Sequence, residues 1–152
     1  LLFVGLLVTG KGLDYLLKAL SKNKSLTLKV VGRGIQEALY QSLAKDLGLE
    51  ERVQFLGHQT GAALDDLYAQ CGAVVFPSRA PETFGLVGLE AMKHKKPVIA
   101  SDVGGTSEWL KEGKLKPTIA ECRPLEDAAE VHRQIDNAEI IGKTILQCNA
   151  IT

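Results

Sequence analysis

The sequence predicts an α/β fold in which a Rossmann-like parallel sheet is flanked by helices. Two observations lead to this prediction. Short apolar runs rich in β-formers alternate with segments of helical periodicity, as is typical of repeated βα units that build a parallel sheet. The composition, 45% hydrophobic and 24% charged over 152 residues, is that of one globular domain with a sizeable core.

The pattern predicts five βα units within the first 110 or so residues. Strands are expected at residues 1–5, 26–31, 53–56, 73–76 and 97–100. Helices are expected at 13–20, 35–47, 62–69 and 86–93, with a short helical stretch from 104 to 110. After residue 111 the pattern changes to a strand ending at 122, a helix at 127–135 and a strand near 144–146. We therefore expect a domain at 1–110 and a β-α-β extension at 111–152 that packs on it.

Charge and cysteine content exclude several classes of function. Lysine plus arginine and aspartate plus glutamate both number 18, so no overall field attracts nucleic acid or an anionic membrane. The apolar opening run is too short to span a bilayer, which predicts no transmembrane segment. The three cysteines are widely spaced and fit neither a disulfide framework nor a zinc site, which predicts a cytoplasmic protein.

Residues 77–92 carry most of the polar chemistry. A strand ends at residue 77, a loop follows, and a helix begins near Phe84 or Gly85. The unpaired amides of the helix start would face the crevice beyond the carboxyl edge of the sheet, where a diphosphate binds readily. Gly85 lets the backbone approach an anion, and Leu86 and Val87 offer the next amides.

Two carboxylates flank this predicted anion site. Glu82 lies in the loop, and Glu90 lies eight residues later on the helix. Each carboxylate can accept hydrogen bonds from two neighbouring hydroxyls, and a diphosphate with a hydroxyl-rich ring at each end is the outline of a nucleotide sugar. Glutamates at this spacing alone are more often surface acids that the helix dipole favours. The surrounding motifs decide between these two interpretations.

Six segments form an ordered series of motifs: Lys11-Gly12, Val30-Val31-Gly32-x-Gly34, Val53-x-Phe55-Leu56-Gly57, Pro77-Ser78, Glu82-x-Phe84-Gly85-Leu86-Val87-x-x-Glu90-Ala91-Met92, and Lys96-Pro97-Val98-Ile99-Ala100-Ser101-Asp102-Val103-Gly104-Gly105-x-x-Glu108. With these motifs, residues 1–110 resemble the retaining glycosyltransferases of the group 1 type, which have the GT-B fold, and the Glu-x7-Glu motif is their mark. The chain would be the donor-binding half of such a fold.

The resemblance implies a role for each matching residue. Glu82 and Lys11 would be catalytic, Glu82 at the hydroxyls of the donor sugar and Lys11 at the diphosphate, while Glu90 would bind the ribose hydroxyls. The binding residues at the helix start would be Phe84, Gly85, Leu86 and Val87, and the amides from position 85 would hold the phosphates. Two loops would line the base, one with Gly32 and Gly34 and the other with Phe55, Leu56 and Gly57.

The implied activity is that of a hexosyltransferase, with retention at the anomeric carbon. A lysine and a helix end can stabilise the departing diphosphate without a metal, and the sequence contains no Asp-x-Asp motif. We therefore expect no metal and no cofactor, with the nucleotide diphosphate sugar as substrate. In the family an N-terminal domain binds the acceptor. Since Met92 is the only methionine, we expect a fragment that lacks this partner domain and is inactive alone.

Two positions depart from the family pattern. The family commonly ends its first strand with Gly-Arg, and the arginine shares the diphosphate with the lysine, whereas this chain has Gly5-Leu6. Loss of a charge-assisted contact worth roughly 1.5–3 kcal/mol predicts weak donor binding. Lys95 stands where the family has a glycine that ends the helix.

Residues 111–147 resemble the C-terminal end of medium-chain quinone-type reductases, where the corresponding stretch is structural. A junction near residues 108–112 would follow, and with it a second hypothesis: a non-catalytic recombined domain with a vestigial nucleotide site. A third, a reductase fragment, draws on Gly32-Arg33-Gly34, which imitates a dinucleotide fingerprint. That fingerprint is incomplete because Glu37 occupies its third glycine position.

Overall fold

Five parallel strands form the central sheet of the computed structural model, which describes residues 1–80, 85–106, 119–124 and 143–147. The strand order is β3-β2-β1-β4-β5. The strands are β1 (Leu2–Val4), β2 (Leu28–Val31), β3 (Val53–Phe55), β4 (Val74–Phe76) and β5 (Val98–Ala100). This confirms the predicted parallel sheet, and each strand begins and ends within two residues of its expected bounds.

One α-helix follows each of the first four strands. These helices are α1 (Leu13–Lys22), α2 (Glu37–Asp46), α3 (Gly61–Gln70) and α4 (Leu86–Lys93). The bounds of α4 are those the sequence predicts. Of the helical stretch expected at 104–110, residues 107–110 lie outside the described part of the chain, as does the helix expected at 127–135.

The alternation of side chains along each strand divides the core into two layers. In β4, Val75 packs on the face covered by α1 and α2, while Val74 and Phe76 pack on the face covered by α3 and α4. Because neighbouring residues of a strand point to opposite faces, a strand buried on both sides is apolar throughout. The continuous apolar runs of the sequence therefore reflect a sheet with helices on both faces.

Helix α2 begins two residues later than predicted, at Glu37 instead of residue 35. The amide of Gln36 donates to the carbonyl oxygen of Leu7 at 3.0 Å, and its side-chain amide donates to Oγ1 of Thr9 at 2.8 Å. These bonds tie residues 34–36 to the loop after β1 and keep them out of the helix. Ile35, which the apolar pattern placed on the buried face, is 92% exposed.

The last two described segments are strands, as predicted. β6 (Ile119–Pro124) and β7 (Lys143–Gln147) pair in parallel as a separate two-stranded sheet. Parallel pairing agrees with a β-α-β connection. Within the described residues, no helix has both the length and the apolar character needed to cross a bilayer.

Candidate functional site

The sheet reverses its order between the neighbouring strands β1 and β4. β1 leads into α1 on one face, and β4 leads into α4 on the other. Loops that diverge in this way leave a crevice at the carboxyl ends of the strands, which is where doubly wound folds bind ligands. A cavity of about 350 Å³ lies there, which we call the switch-point cavity; its walls are formed by Phe3, Val4, Gly5, Leu6, Lys11, Phe76, Ser78, Gly85, Leu86 and Val87.

Lys11 reaches this cavity from the loop after β1. It ends a 3-10 turn, Thr9–Lys11, and its amide donates to the carbonyl oxygen of Val8 at 3.1 Å. The residue is half-buried. Among the described residues that line the cavity, Lys11 alone carries a charged side chain. It therefore brings an ammonium group to this wall of the cavity.

The start of α4 forms the opposite wall. Gly85 is the N-cap, with a φ of 73°, and none of the described side chains caps the helix. Among the described residues, the first amide of this segment with a backbone acceptor is that of Gly88, which donates to the carbonyl oxygen of Gly85 at 2.9 Å. Helix geometry leaves the preceding amides without a partner in the helix. The structure thus brings three predicted residues, Gly85, Leu86 and Val87, to one cavity with Lys11.

Glu82 and Phe84 lie outside the described residues, so their predicted positions at this cavity stay predictions. The loop that precedes them is described as far as residue 80. Ser78, in that loop, is buried and lines the cavity.

Glu90 lies beside the cavity but not in its wall. It is one helical turn beyond Leu86 and so shares its face of α4. The residue is exposed, and its Oε2 accepts a hydrogen bond of 2.7 Å from the hydroxyl of Tyr68. Its carboxylate is therefore available to solvent at the edge of the site, in an orientation that a second helix holds.

The five residues expected near the base lie along the same sheet edge, and none of them lines the cavity. The loops after β2 and β3 run side by side, because the amide of Gly32 donates to the carbonyl oxygen of Gly57 at 2.8 Å. Gly32 has a φ of 134°, and a Cβ there would overlap the carbonyl oxygen of Gly5. Close backbone packing therefore accounts for the glycine at position 32. The other residues expected near the base are Gly34, Phe55 and Leu56.

Leu6 occupies the cavity position at which the family pattern leads us to expect arginine. Its side chain is 63% exposed and forms part of the cavity wall. An exposed leucine offers no hydrogen bond to a phosphate. The departure from the family pattern at position 6 therefore lies in the cavity lining, as Lys11 does.

Arg79 braces the loop that carries Lys11, a contact that sequence analysis missed. Its guanidinium donates to the carbonyl oxygen of Thr9 at 2.7 Å and to Oδ1 of Asp14 at 3.3 Å, and it lies 4.6 Å from the centre of the Tyr15 ring. The Arg79 amide also donates to the carbonyl oxygen of Gly10, at 2.8 Å. These contacts join the loop after β4 to the loop after β1, 70 residues earlier at Thr9, a separation that local pattern does not reveal.

A polar cluster that joins α3 and α4 is the second feature that sequence analysis missed. Tyr68 is 1% exposed, and its ring stacks on that of His94 with centroids 5.1 Å apart. Nε2 of His94 lies 2.9 Å from Oδ1 of Asp65. With Glu90, these residues form what we call the α3–α4 cluster. The partners of His94 lie on another helix, so the local sequence pattern does not reveal them.

The fold and the cavity together define the class of protein: a doubly wound α/β protein with a cavity at its switch point. The chain also matches the family described as glycosyl transferases group 1, over residues 1–144. The chain belongs to the group 1 glycosyltransferase family. Since the match runs through residue 144, it covers nearly all of the segment at 111–147, whose resemblance to quinone-type reductases these comparisons do not support.

Individual relatives agree with this assignment. An uncharacterised glycosyltransferase of Methanocaldococcus jannaschii is 40% identical over 114 residues, which is 73% of this chain and 29% of the relative. A D-inositol 3-phosphate glycosyltransferase of Mycobacteroides abscessus is 33% identical over 156 residues, covering 97% of this chain and 32% of the relative. This chain thus spans about a third of the length of these relatives.

A solved structure shares the fold. HepE of Anabaena, in complex with UDP and glucose, superposes with a TM-score of 0.74 at 30% sequence identity, over 91% of this chain and 39% of HepE. The shared fold supports the layered arrangement described above.

Proposed function

We propose that the chain is the donor-binding half of a retaining glycosyltransferase, which transfers a sugar from a nucleoside diphosphate sugar to an acceptor. The observation that carries this proposal is the switch-point cavity, which Lys11 lines together with the start of α4, where no described side chain provides a cap. A cation close to the first amides of a helix is suited to bind a diphosphate. The complex of HepE with UDP and glucose supports a nucleotide sugar as the ligand.

The same two groups account for catalysis. When the bond between the anomeric carbon and the diphosphate breaks, negative charge collects on the distal phosphate. Groups that are already in place stabilise such charge without reorganising. The ammonium of Lys11 and the amides of Gly85, Leu86 and Val87 would provide this stabilisation, and no metal is required.

The remaining assignments concern the parts of the donor on either side of the diphosphate. Glu90, at the cavity edge, would bind the ribose hydroxyls, and the loops after β2 and β3, along the same sheet edge, would line the base. Glu82 would meet the hydroxyls of the sugar. Retention at the anomeric carbon is part of the proposal because the Glu-x7-Glu pattern resembles that of retaining enzymes.

We also propose that the acceptor is bound by a domain outside these 152 residues. The support is that the chain spans 29% and 32% of two relatives. Residues 1–110 would bind the donor, and the extension at 111–152 would pack on them; Cα atoms of β7 lie within 8 Å of β5, which supports this arrangement.

A non-catalytic domain with a vestigial nucleotide site is the second candidate. Leu6 favours it, because an exposed leucine stands in the cavity wall where a second cation would strengthen diphosphate binding. The two candidates differ in whether the site binds a nucleotide.

Calorimetric titration with UDP and with GDP tests the proposal. We expect saturable binding of at least one of them, weakened by roughly tenfold to a hundredfold in Lys11→Ala, the change expected from losing a charge-assisted bond. Lys45→Ala removes an exposed lysine of α2 and serves as the matched control. If neither nucleotide gives heat of binding, or if both substitutions weaken binding equally, the proposal is contradicted.

A further inference from the structure

The ring of Tyr68 contacts two residues that lie one turn apart, Glu90 on α4 and His94 at the C-cap of that helix. Its hydroxyl donates to Oε2 of Glu90 at 2.7 Å, and its ring is parallel to that of His94 within 7°. His94 in turn is held by Asp65, at 2.9 Å, three residues before Tyr68 on α3. The α3–α4 cluster therefore closes on itself across the two helices.

The burial of Tyr68 and the exposure of Glu90 make the contact unequal. The tyrosine is 1% exposed and belongs to the core under α3 and α4, so its position is fixed by packing. The glutamate is exposed, and a free glutamate side chain would sample many rotamers. The hydrogen bond from this fixed tyrosine therefore restricts the rotamers of the Glu90 side chain at the surface.

The protonation of Tyr68 is secure. Burial, together with the hydrogen bond to Glu90, raises the pKa of the phenol well above its ordinary value of 10.0. A phenol that keeps its proton donates at every pH near neutrality. Glu90 accepts with Oε2, and no described residue donates to its Oε1, which leaves that oxygen for a ligand.

We propose that Tyr68 is a positioning residue that holds Glu90 in the orientation needed to accept the ribose hydroxyls of the donor. This inference rests on the proposed function, in which Glu90 binds ribose. His94, held by Asp65, helps to orient Tyr68, because the stacked imidazole fixes the plane of the phenol ring. A carboxylate held in its binding orientation loses less conformational entropy when the nucleotide arrives.

The chain offers a matched control in Tyr40. Tyr40 is also a core tyrosine, 2% exposed, but its hydroxyl has no hydrogen-bond partner among the described residues. It belongs to α2 and packs on the sheet face that α1 and α2 cover, opposite the face on which Tyr68 packs. Tyr40→Phe thus removes one buried hydroxyl without touching Glu90.

The test compares Tyr68→Phe, Tyr40→Phe and the unchanged chain in calorimetric titrations. The ligands are UDP or GDP, whichever the unchanged chain binds more tightly, and the 2′,3′-dideoxy form of the same nucleotide. We expect Tyr68→Phe to weaken binding of the complete nucleotide roughly threefold to tenfold, the range for one hydrogen bond. It should leave the dideoxy form unaffected, because that ligand offers Glu90 no hydroxyl, and Tyr40→Phe should change neither affinity.

Two further variants make the result decisive. In a Glu90→Ala background, Tyr68→Phe should have no additional effect on nucleotide binding. His94→Leu, which removes the stacked ring, should weaken binding of the complete nucleotide and spare the dideoxy form, and it tests the inference if Tyr68→Phe does not fold. Equal weakening of both ligands, or an undiminished effect without Glu90, would overturn the inference. If the unchanged chain binds neither nucleotide, the proposed function itself fails.

Discussion

Gly12 lies against the carbonyl oxygen of Pro77 so closely that a Cβ at position 12 would overlap it. Gly12 follows the turn that carries Lys11, and Pro77 follows β4, so this contact joins the two loops that frame the switch-point cavity. The φ of Gly12, 71°, is in the left-handed region. Two independent constraints therefore require glycine at this position.

Gly12→Ala should destabilise the protein more than the same substitution at Gly48. Gly48 has a similar φ, 66°, but a Cβ there would meet nothing within 4 Å. Both variants incur the left-handed cost of about 1 kcal/mol, and only Gly12→Ala adds overpacking of roughly 1–3 kcal/mol. Urea denaturation measures both changes. Equal losses would show that the contact between the two loops adjusts without cost.

Leu6→Arg should strengthen nucleotide binding. The substitution places a guanidinium in the cavity wall that already holds Lys11, and such a contact contributes roughly 1.5–3 kcal/mol, or about tenfold to a hundredfold in affinity. Leu39→Arg adds the same charge at an exposed leucine of α2, outside the cavity lining, and should change affinity little. Titration with UDP and GDP measures the difference. If binding stays undetectable in Leu6→Arg, the vestigial site becomes the better hypothesis.

Lys95→Gly should stabilise the protein by about 1 kcal/mol, because position 95 adopts the left-handed conformation that costs a side chain about this much. Lys95 has a φ of 56°, and its amide donates to the carbonyl oxygen of Met92 at 2.9 Å. This is the helix-ending role that the family pattern assigns to glycine. Lys93→Gly, at the last residue of α4, is the control and should destabilise the protein. Thermal unfolding distinguishes them; a loss of stability in Lys95→Gly would contradict the prediction.

Tyr68→Phe should reduce the loss of stability at alkaline pH. Burial raises the folded pKa of Tyr68 above the ordinary 10.0, so above that pH the unfolded chain releases a proton that the folded chain keeps. The contribution of this group is complete below about pH 10 and falls by about 1.4 kcal/mol per pH unit above it. Urea denaturation at several pH values between about 9 and 11 should give a shallower fall for Tyr68→Phe. Parallel curves would show that Tyr68 titrates normally.

Local periodicity was sufficient to predict the sheet and its helices. The strands that are buried on both faces are continuous apolar runs, and α4 has the bounds that its pattern predicts. The start of α2 was wrong because Gln36 bonds to the loop after β1, a tertiary contact that overrides an apolar residue at position 35. Helix ends that are fixed by another segment cannot be located from the pattern alone.

The candidate site was predictable where it consists of backbone and was missed where it depends on pairing between helices. Gly85 and the amides after it follow from a strand, a loop and a helix in sequence. The bond between Tyr68 and Glu90 joins residues 22 positions apart, and neither residue type reveals it. A buried tyrosine hydroxyl usually has a partner, yet that of Tyr40 has none among the described residues, so burial alone does not identify this bond.

An amide NMR titration of the unchanged chain with UDP or GDP tests the donor site most directly. The prediction is that the largest saturable shifts fall on Gly85, Leu86, Val87 and the turn ending at Lys11, while Gly48, remote from the cavity lining, does not move. Saturable shifts centred on other residues, with those of the helix start unchanged, would contradict a diphosphate site between β1 and β4.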